Sequence, residues 1–498
     1  MPKKSFGKSN PRRYKTSKTR MSNTSTFPLS PSTIISNACE STVVNSFRNL
    51  NATLLSPNNQ FAVDSEQAAS LFYSSLQNRQ QLPQYNSLKN DLAVYMAAST
   101  FTHNADGWAY LSRGVDALLN CDISSCIHLV YYAELRAAMS IMACSGILQI
   151  NKRTLYFDAN ANGNVSGVSA SSRFPSGTHI AIIKLFEEWS NSTKIWDVMK
   201  NLKMAGGLTL LDWGQSTNIG SLQSTSSSII DDWLRDWQKD LVNALNDDHA
   251  LRNIVSYNPQ IRGRCLPRNY EASIIRPLIE IWSELLPLDG QIYSILDSHL
   301  VGSYLSRLYN GVYVDPNSRS TSSSTQQARI SLSYDKYIEI IKTAFGLNDS
   351  GMFMVFKESH NGTQKSFIIE QSQKNTLPTD ISIDKCISMI CRSILLLLIG
   401  AGMCDNLLSV SNTNRNSFLD PWWRAFTSNN GLQKTPDDLD NAFDLYSDIE
   451  DATVYLMGLL DKNRITNIQD ILYDIDNISP VHFWITQFQC ICFWRLHL

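Results

Sequence analysis

The sequence predicts a mainly α-helical protein, in which a helical bundle with a small β-hairpin insertion is followed by a second, mostly helical domain. Three observations support this fold class. Apolar residues recur with a helical period along most of the chain, and strand-like segments with turn signals are few. Hydrophobic residues make up 43% of the 498 residues and charged residues only 18%, which indicates a folded interior and excludes global disorder.

The length predicts more than one domain, and composition suggests where the boundaries fall. Residues 1–39 are basic and rich in Ser, Thr, Asn and Pro, so we expect a flexible tail. Residues 40–317 form the predicted helical domain with its β-hairpin insertion. A polar linker over 318–335, which contains "SRSTSSSTQQ", then leads to the mostly helical domain predicted for 336–498.

The basic tail has three possible interpretations. It holds eight Lys and Arg residues in its first 20 positions and no acid before Glu40, whereas the remainder of the chain is mildly acidic. A tail of this kind can contact nucleic acid without specificity, act as a transit peptide, or be an extension upstream of a true start at Met21. The acidic remainder lacks the overall positive charge that is typical of nucleic-acid-binding proteins.

The sequence favours a cytoplasmic location without a membrane span. Ten scattered cysteines, several in apolar runs, are typical of buried thiols in a reducing compartment. No apolar segment of the secretory type follows the basic start. The longest apolar segment, Ser393 to Met403, has 11 residues, which predicts a core helix because a membrane span needs about 20.

Neither a metal nor another cofactor is expected. Cys490-x-Cys492 and Cys386-x₄-Cys391 have no histidine at the spacing of a zinc site. The acids of "DDWLRD" (231–236) could bind Mg²⁺, but their position after a run of serines favours a solvated first turn of a helix. The familiar nucleotide-binding and hydrolase motifs are absent from the sequence.

The best-defined helical element is a predicted αα-hairpin. "GWAYLSRGVDALL" (Gly107 to Leu119) places its apolar residues on one face, and Asp106 is its predicted N-cap. After a short break, "HLVYYAELRAAMSIMACSGI" (128–147) predicts a second helix that ends at Gly146.

The hairpin is followed by a predicted β-insertion and further helices. Leu155, Tyr156 and Phe157 favour a strand, and Asn162-Gly163 is a hairpin turn signal. The same stretch matches the first half of a calcium loop, with Ser169 in place of the bidentate glutamate, so the hairpin is the better interpretation. A second hairpin is predicted from 351–359 and 364–372. Helices are predicted over 178–189, 228–245, 270–286, 292–309 and from 383 to the C-terminus.

Polar side chains form a stripe on the second helix of the hairpin. His128, Tyr132, Arg136 and Ser140 are spaced four residues apart and so share one face. Small alanines nearby allow another helix to approach closely, and buried polar groups need partners. The stripe is therefore either a satisfied internal network or a site, and Arg252, at the end of a later helix, could line the same cleft.

The segment "GWAYLSRGVDALLNCDISSCIHLVYYAELRAAMSIMACSGI" resembles the central helices of HEPN domains, the helical modules of prokaryotic toxins and antiviral defence proteins. The resemblance covers about residues 107–190. The family's ribonuclease motif is an arginine, four to six residues and a histidine near the start of a later helix. Arg173 and His179 in "RFPSGTH" have this order with five residues between them, although Phe174 stands where the family usually has a polar residue.

Two functions follow from the resemblance. The first is a non-catalytic interaction subunit of an antiviral defence system, with a protein partner or a second copy of the chain bound to the bundle. The alternative is a metal-independent ribonuclease, in which His179 is general acid or base and Arg173 stabilises the phosphate. His128, Tyr132, Arg136 and Arg252 would then contact RNA or form the interface. Otherwise, His179 is an ordinary helix-start residue and Arg173 a solvated loop residue.

Overall fold

The structure is a computed structural model, and it describes the chain in segments. These are residues 30–48, 89–150, 153–162, 164–169, 177–192, 194–203, 209, 212, 243–257, 271–287, 294–301, 303, 366–374, 380–411, 443–461 and 481–492. In these segments the protein is mostly helical, with one small antiparallel sheet, as the sequence predicts.

The first half of the described chain has this order: α1 (Pro31–Asn37), α2 (Ser41–Phe47), α3 (Lys89–Leu119), α4 (Ile123–Cys144), β1 (Ile147–Ile150), β2 (Arg153–Asp158), β3 (Asn164–Ser169), α5 (Thr178–Ser190), α6 (Lys194–Asn201) and α7 (243–257). The second half contains a π-helical turn (Glu271–Ile275) that continues into α8 (Arg276–Leu285), then α9 (295–301), α10 (Phe367–Ser372), α11 (Ile383–Ser411), α12 (Phe443–Asp461), α13 (481–485) and α14 (489–492).

The predicted αα-hairpin is present as α3 and α4, but α3 starts earlier than expected. It begins at Lys89, so Asp106 lies inside the helix, and its carboxylate is 3.5 Å from Nη1 of Arg136 rather than at a cap. The N-cap of α4 is Asp122, whose side chain accepts a hydrogen bond from the amide of Ser125 at 3.0 Å. Gly146 follows α4 with a φ of 81°, which confirms it as the residue that ends the helix.

The β-insertion between α4 and α5 is confirmed and has three strands in the order β1-β2-β3. β2 and β3 pair antiparallel, with Tyr156 opposite Ser166, and Asn162 between them has a left-handed φ of 54°. The carboxylate of Asp158 accepts the amide of Asn160 at 2.9 Å, as in an Asx turn. The preference for a hairpin over a calcium loop is therefore supported.

Helix α11 lies in the centre of the bundle, parallel to α4. Near the starts of the two helices the thiol of Cys386 contacts the carbonyl of Ile123, and near their ends the sulfurs of Cys144 and Cys404 are 3.7 Å apart. Among the described helices, α11 is long and apolar enough to span a membrane, but 89% of its most apolar window is buried inside the protein. This burial agrees with the predicted core helix.

One helix of the predicted second domain joins the core of the first. Helix α11 belongs to the proposed second domain, yet it packs against α3 and α4, and its buried residues join the same hydrophobic core. An all-round apolar helix must be buried, and α4 provides the matching surface. The proposed linker over 318–335 lies outside the described residues.

Two further predictions need correction. The flexible tail was expected to reach residue 39, but α1 is capped by Ser30 and buries Ile34 and Ile35. The second strand of the proposed 351–372 hairpin is instead helix α10, because Ser366 caps its N-terminus by accepting the amide of Ile369 at 3.1 Å. The first strand of that hairpin and the acids at 231–236 fall outside the described residues.

Candidate functional site

Three helices of the bundle bring imidazole, phenol and guanidinium groups together at a half-buried surface. Helix α4 contributes from its first half, α5 from its first turn and α7 from its middle. We call this group the histidine–tyrosine cluster, and its members are His128, Tyr131, Tyr132, His179, His249 and Arg252.

The contact between α4 and α5 is made by Tyr131 and His179. The Tyr131 hydroxyl lies 3.0 Å from Nδ1 of His179, and the two ring centres are 5.8 Å apart. Burial is the main reason that the pKa of Tyr131 is raised, so the phenol keeps its proton at neutral pH. A neutral phenol at this distance can donate to the imidazole or accept from it.

His179 stands at the start of α5, where Gly177 is an N-cap without a side-chain hydrogen bond. Its ring centre lies 5.6 Å from that of Tyr132 and 5.9 Å from that of His249. Burial, followed by the positive charge of Arg252, lowers the pKa of His179 to about 4. His179 is therefore a neutral imidazole at physiological pH.

Helix α7 supplies the cation of the cluster. Nη2 of Arg252 donates to the Tyr132 hydroxyl at 2.5 Å, and its guanidinium carbon lies 5.2 Å from the centre of the Tyr132 ring. Nη1 donates to Oδ1 of Asn253 at 3.0 Å. Burial and Arg252 also lower the pKa of His249, one turn earlier on the same helix.

His128 completes the cluster at the end nearest the start of α4. Its Nδ1 lies 2.7 Å from the hydroxyl of Ser256, and its ring centre is 5.1 Å from that of Tyr132. Burial and Arg252 lower its pKa as well. Tyr110 of α3 stacks on Tyr132, with ring centres 5.3 Å apart, so Tyr132 contacts both α3 and α7.

The sequence-predicted site residues are only partly assembled. His128, Tyr132, His179 and Arg252 meet in the cluster. Arg136 instead turns toward α3, where Nη1 lies 2.9 Å from Nδ1 of His103 and 3.5 Å from Asp106. Arg173 lies outside the described residues.

Beneath the cluster is a second group of charged side chains, which we call the buried ion network: Glu134 of α4, Asp248 of α7, and Lys385 and Arg392 of α11. Nζ of Lys385 is 2.7 Å from Oδ1 of Asp248, and Nε of Arg392 is 3.4 Å from Oε1 of Glu134. Arg392 also pairs with Asp248. All four side chains are at most 3% exposed.

The buried ion network changes the charge balance of the site. Burial and the neighbouring Asp248 raise the pKa of Glu134 well above its usual range, and both carboxyl groups face the network's own two cations, so they do not neutralise the guanidinium above them. Within the described residues the hydrogen-bond partners of Arg252 are neutral, and its Nε is buried without a hydrogen-bond partner. The cluster thus holds a positive charge beside three neutral imidazoles, which suits an anionic ligand.

Sequence reasoning missed several of these residues. Tyr131 lies outside the predicted polar stripe, although it neighbours Tyr132 and lies three positions after His128. The signal for the ion network was Arg392, a charge directly before the most apolar run of the chain. Among the described residues, no group of three or more histidine, cysteine or acidic side chains could hold a metal ion.

Comparison with known proteins adds no family to this geometry: no protein-family model, no curated protein and no solved structure matches the chain.

Proposed function

We propose that the histidine–tyrosine cluster binds the phosphate backbone of RNA and cleaves it without a metal ion. The observation that supports this most directly is Arg252, a partly buried cation with neutral hydrogen-bond partners among the described residues. A guanidinium recognises phosphate through paired donors and stabilises the charge that develops in the transition state. Two neutral imidazoles, those of His179 and His249, lie beside it.

The proposed chemistry is an internal transesterification. One imidazole accepts the proton of the ribose 2′-OH, and the 2′-oxygen forms a bond to phosphorus. The bond to the 5′-oxygen breaks, and the second imidazole, in its protonated form, donates a proton to that leaving oxygen. The products are a 2′,3′-cyclic phosphate and a free 5′-OH, and water or a second turnover restores the protonation states.

Bound phosphate helps to explain how the histidines become active. Arg252 contributes to the lowered pKa of His179 and of His249 in the free protein. A phosphate anion against the guanidinium offsets that charge and raises both pKa values toward neutrality, where acid–base catalysis works best. The HEPN-like resemblance supports the same reaction and adds Arg173 as a second phosphate-binding residue.

The test uses purified protein and a 5′-fluorescein-labelled RNA oligonucleotide in EDTA. We expect cleavage with 2′,3′-cyclic phosphate ends, seen by mass spectrometry, and no cleavage of DNA of the same sequence, because DNA lacks the 2′-OH. His179→Gln and Arg252→Met should each lower the rate at least about 100-fold. His482→Gln is the matched control, since His482 pairs with Asp116 outside the cluster. RNA that stays intact with the wild-type protein would exclude the nuclease.

A second candidate is a non-catalytic interaction subunit of a prokaryotic antiviral defence system, with the bundle as a platform for a protein partner or a second copy. It is favoured because the cluster's polar groups bond to protein groups: His128 to Ser256, Tyr131 to His179 and Arg252 to Tyr132. Such a network can be structural and needs no ligand. Both candidates place the protein in the cytoplasm without a cofactor.

The second candidate has its own measurement. Light scattering after size-exclusion chromatography gives the oligomeric state of the wild-type protein and of Arg252→Met. An oligomer that forms normally, combined with no RNA cleavage and no RNA binding, would favour the interaction subunit. A monomer that cleaves RNA would exclude it.

A further inference from the structure

Helix α7 carries a fully buried carboxylate beside the two site residues that it supplies. Asp248 directly precedes His249 and lies one turn before Arg252, on the same side of the helix as the arginine. The Asp248 side chain is 0% exposed. The position of this carboxylate therefore determines where α7 presents Arg252.

The carboxylate of Asp248 is held from two points on α11. Nζ of Lys385 lies 2.7 Å from Oδ1, and Nη2 of Arg392 bonds to Oδ2. The two cations are two helical turns apart, so the contacts restrain both the translation and the rotation of α7. Arg392 is itself fixed, because Nη1 donates to the hydroxyl of Ser388 at 2.8 Å.

Arg392 also reaches the other main helix of the site. Its Nε is 3.4 Å from Oε1 of Glu134 on α4, and Glu134 lies one turn after Tyr131. One guanidinium thus contacts the helix that carries Tyr131 and the helix that carries Arg252.

Stability alone is a weak reason for such a network. Charged side chains have been removed from water, and well-packed apolar side chains of similar volume are often as stable or more so. The guanidinium of Arg392 provides direction, however, because its planar set of donors accepts few positions of a carboxylate. The cluster above needs this property, since its groups must meet at hydrogen-bonding distances.

We infer that Asp248 is a positioning residue for the histidine–tyrosine cluster, and that its pairs with Lys385 and Arg392 hold α7 where Arg252 contacts Tyr132 of α4 and His249 contacts His179 of α5. The importance of this positioning for catalysis rests on the proposed function, but the positioning itself can be measured without any RNA.

The experiment compares two substitutions of opposite charge. Asp248→Asn removes a negative charge, whose direct effect would lower the pKa of nearby imidazoles. Arg392→Met removes a positive charge, whose direct effect would raise it. Loss of positioning should raise the imidazole pKa values in both variants, because Arg252 moves away and the imidazoles become more exposed to water. We expect the pKa of His179 to rise by about 1 unit in both, measured by NMR titration of ¹³C-labelled histidines in the full-length protein.

The matched control is Glu284→Gln, which removes a buried carboxylate that contacts α10 rather than the cluster. Its histidine pKa values should equal those of the wild type. The double variant Asp248→Asn/Lys385→Met removes one charge of each sign, and it provides the measurement if a single variant fails to fold.

The outcomes distinguish the positioning role of Asp248 from the proposed ribonuclease function. Shifts of opposite sign in Asp248→Asn and Arg392→Met, or equal shifts in Glu284→Gln, would overturn the positioning role. Upward shifts in both variants, with a wild-type protein that neither binds nor cleaves RNA, would support positioning and reject the proposed nuclease. Loss of cleavage with unchanged histidine pKa values would also contradict the inference.

Discussion

The hydroxyl oxygen of Tyr131 lies 3.0 Å from Nδ1 of His179, and this contact joins the middle of α4 to the first turn of α5. Tyr131 is buried, whereas His179 is partly exposed. The contact therefore connects the core of the bundle to the surface of the histidine–tyrosine cluster. Because both groups are neutral at pH 7, we expect the hydroxyl to donate and the opposite ring nitrogen of His179 to carry the proton.

Replacing the phenol tests this contact. Tyr131→Phe keeps the ring and removes the hydroxyl, so Nδ1 of His179 loses its partner. We expect the free energy of unfolding to fall by about 1 kcal/mol, the usual contribution of a partly buried hydrogen bond, as measured by urea denaturation. Tyr257→Phe is the control, since Tyr257 is 78% exposed, and it should change stability by less than about 0.5 kcal/mol. Equal effects of the two substitutions would contradict the prediction.

The histidines predict how stability depends on pH. In the unfolded chain an imidazole has a pKa near 6.5, whereas that of His179 is about 4 in the folded protein. The unfolded state therefore takes up the proton first, and stability falls as the pH drops from about 6.5 toward 4. Replacing His179 by Gln should reduce the loss between pH 7.5 and 5.0 by about 1 kcal/mol, a value discounted for solvent exposure. Urea denaturation at both pH values tests this, and identical losses in variant and wild type would refute it.

A distant residue, Glu284, adds to the cap that Ser366 provides for α10. The carboxylate of Glu284 accepts hydrogen bonds from the Ser366 hydroxyl at 2.6 Å and from the amides of Phe367 and Ile368 at 2.5 and 3.1 Å. In Glu284→Gln an NH₂ group replaces one acceptor, so we expect a loss of about 2 kcal/mol in unfolding free energy. Glu280→Gln, on the exposed side of the same helix, should be nearly neutral. A neutral Glu284→Gln would show that the cap contributes little.

Close packing of α11 against its neighbours makes Gly400 hard to replace. A Cβ atom at this position would lie 2.8 Å from Nδ2 of Asn104, which donates to the carbonyl of Leu397. Gly400→Ala should therefore lower the melting temperature, with a loss of about 1–3 kcal/mol from overpacking. Gly458→Ala on α12 meets nothing within 4 Å and should raise stability by roughly 0.5–1 kcal/mol. Calorimetry of both variants tests whether the melting temperature falls in Gly400→Ala and rises in Gly458→Ala.

The elements that local sequence signals define were predictable. The period of α4, its end at Gly146 and the turn at Asn162 all depend on residues near one another in the chain. The early start of α3 was missed because Asp106 resembles an N-cap, whereas inside the helix it pairs with Arg136 of α4. Capping chemistry and tertiary pairing favour the same residue type, so sequence alone could not separate them.

The candidate site was predicted only in part, for a physical reason. His128 and Tyr132 share a helical face, as their spacing of four residues indicates. Arg252 was a plausible partner because it lies near the end of a later predicted helix. His249 and Asp248 belong to the site because α7 contacts both α4 and α11, and no spacing in the sequence encodes those contacts. Helix α11, which was predicted for the second domain, joins the same core because it packs against α3 and α4.

The parallel pairing of α4 and α11 has a consequence for biosynthesis. Cys144 and Cys404 are 260 residues apart in the chain, and Val130 and Ser393 are 263 apart. At about 5–20 residues per second, the ribosome needs roughly 10–50 seconds to deliver the partner of each α4 residue. During that interval Arg392, the partner of Glu134, has not yet been synthesised, and the apolar surface that α4 buries against α11 is exposed. The nascent chain therefore passes through a long aggregation-prone stage, and we expect its yield of native protein to depend on chaperones that shield α4 until α11 emerges.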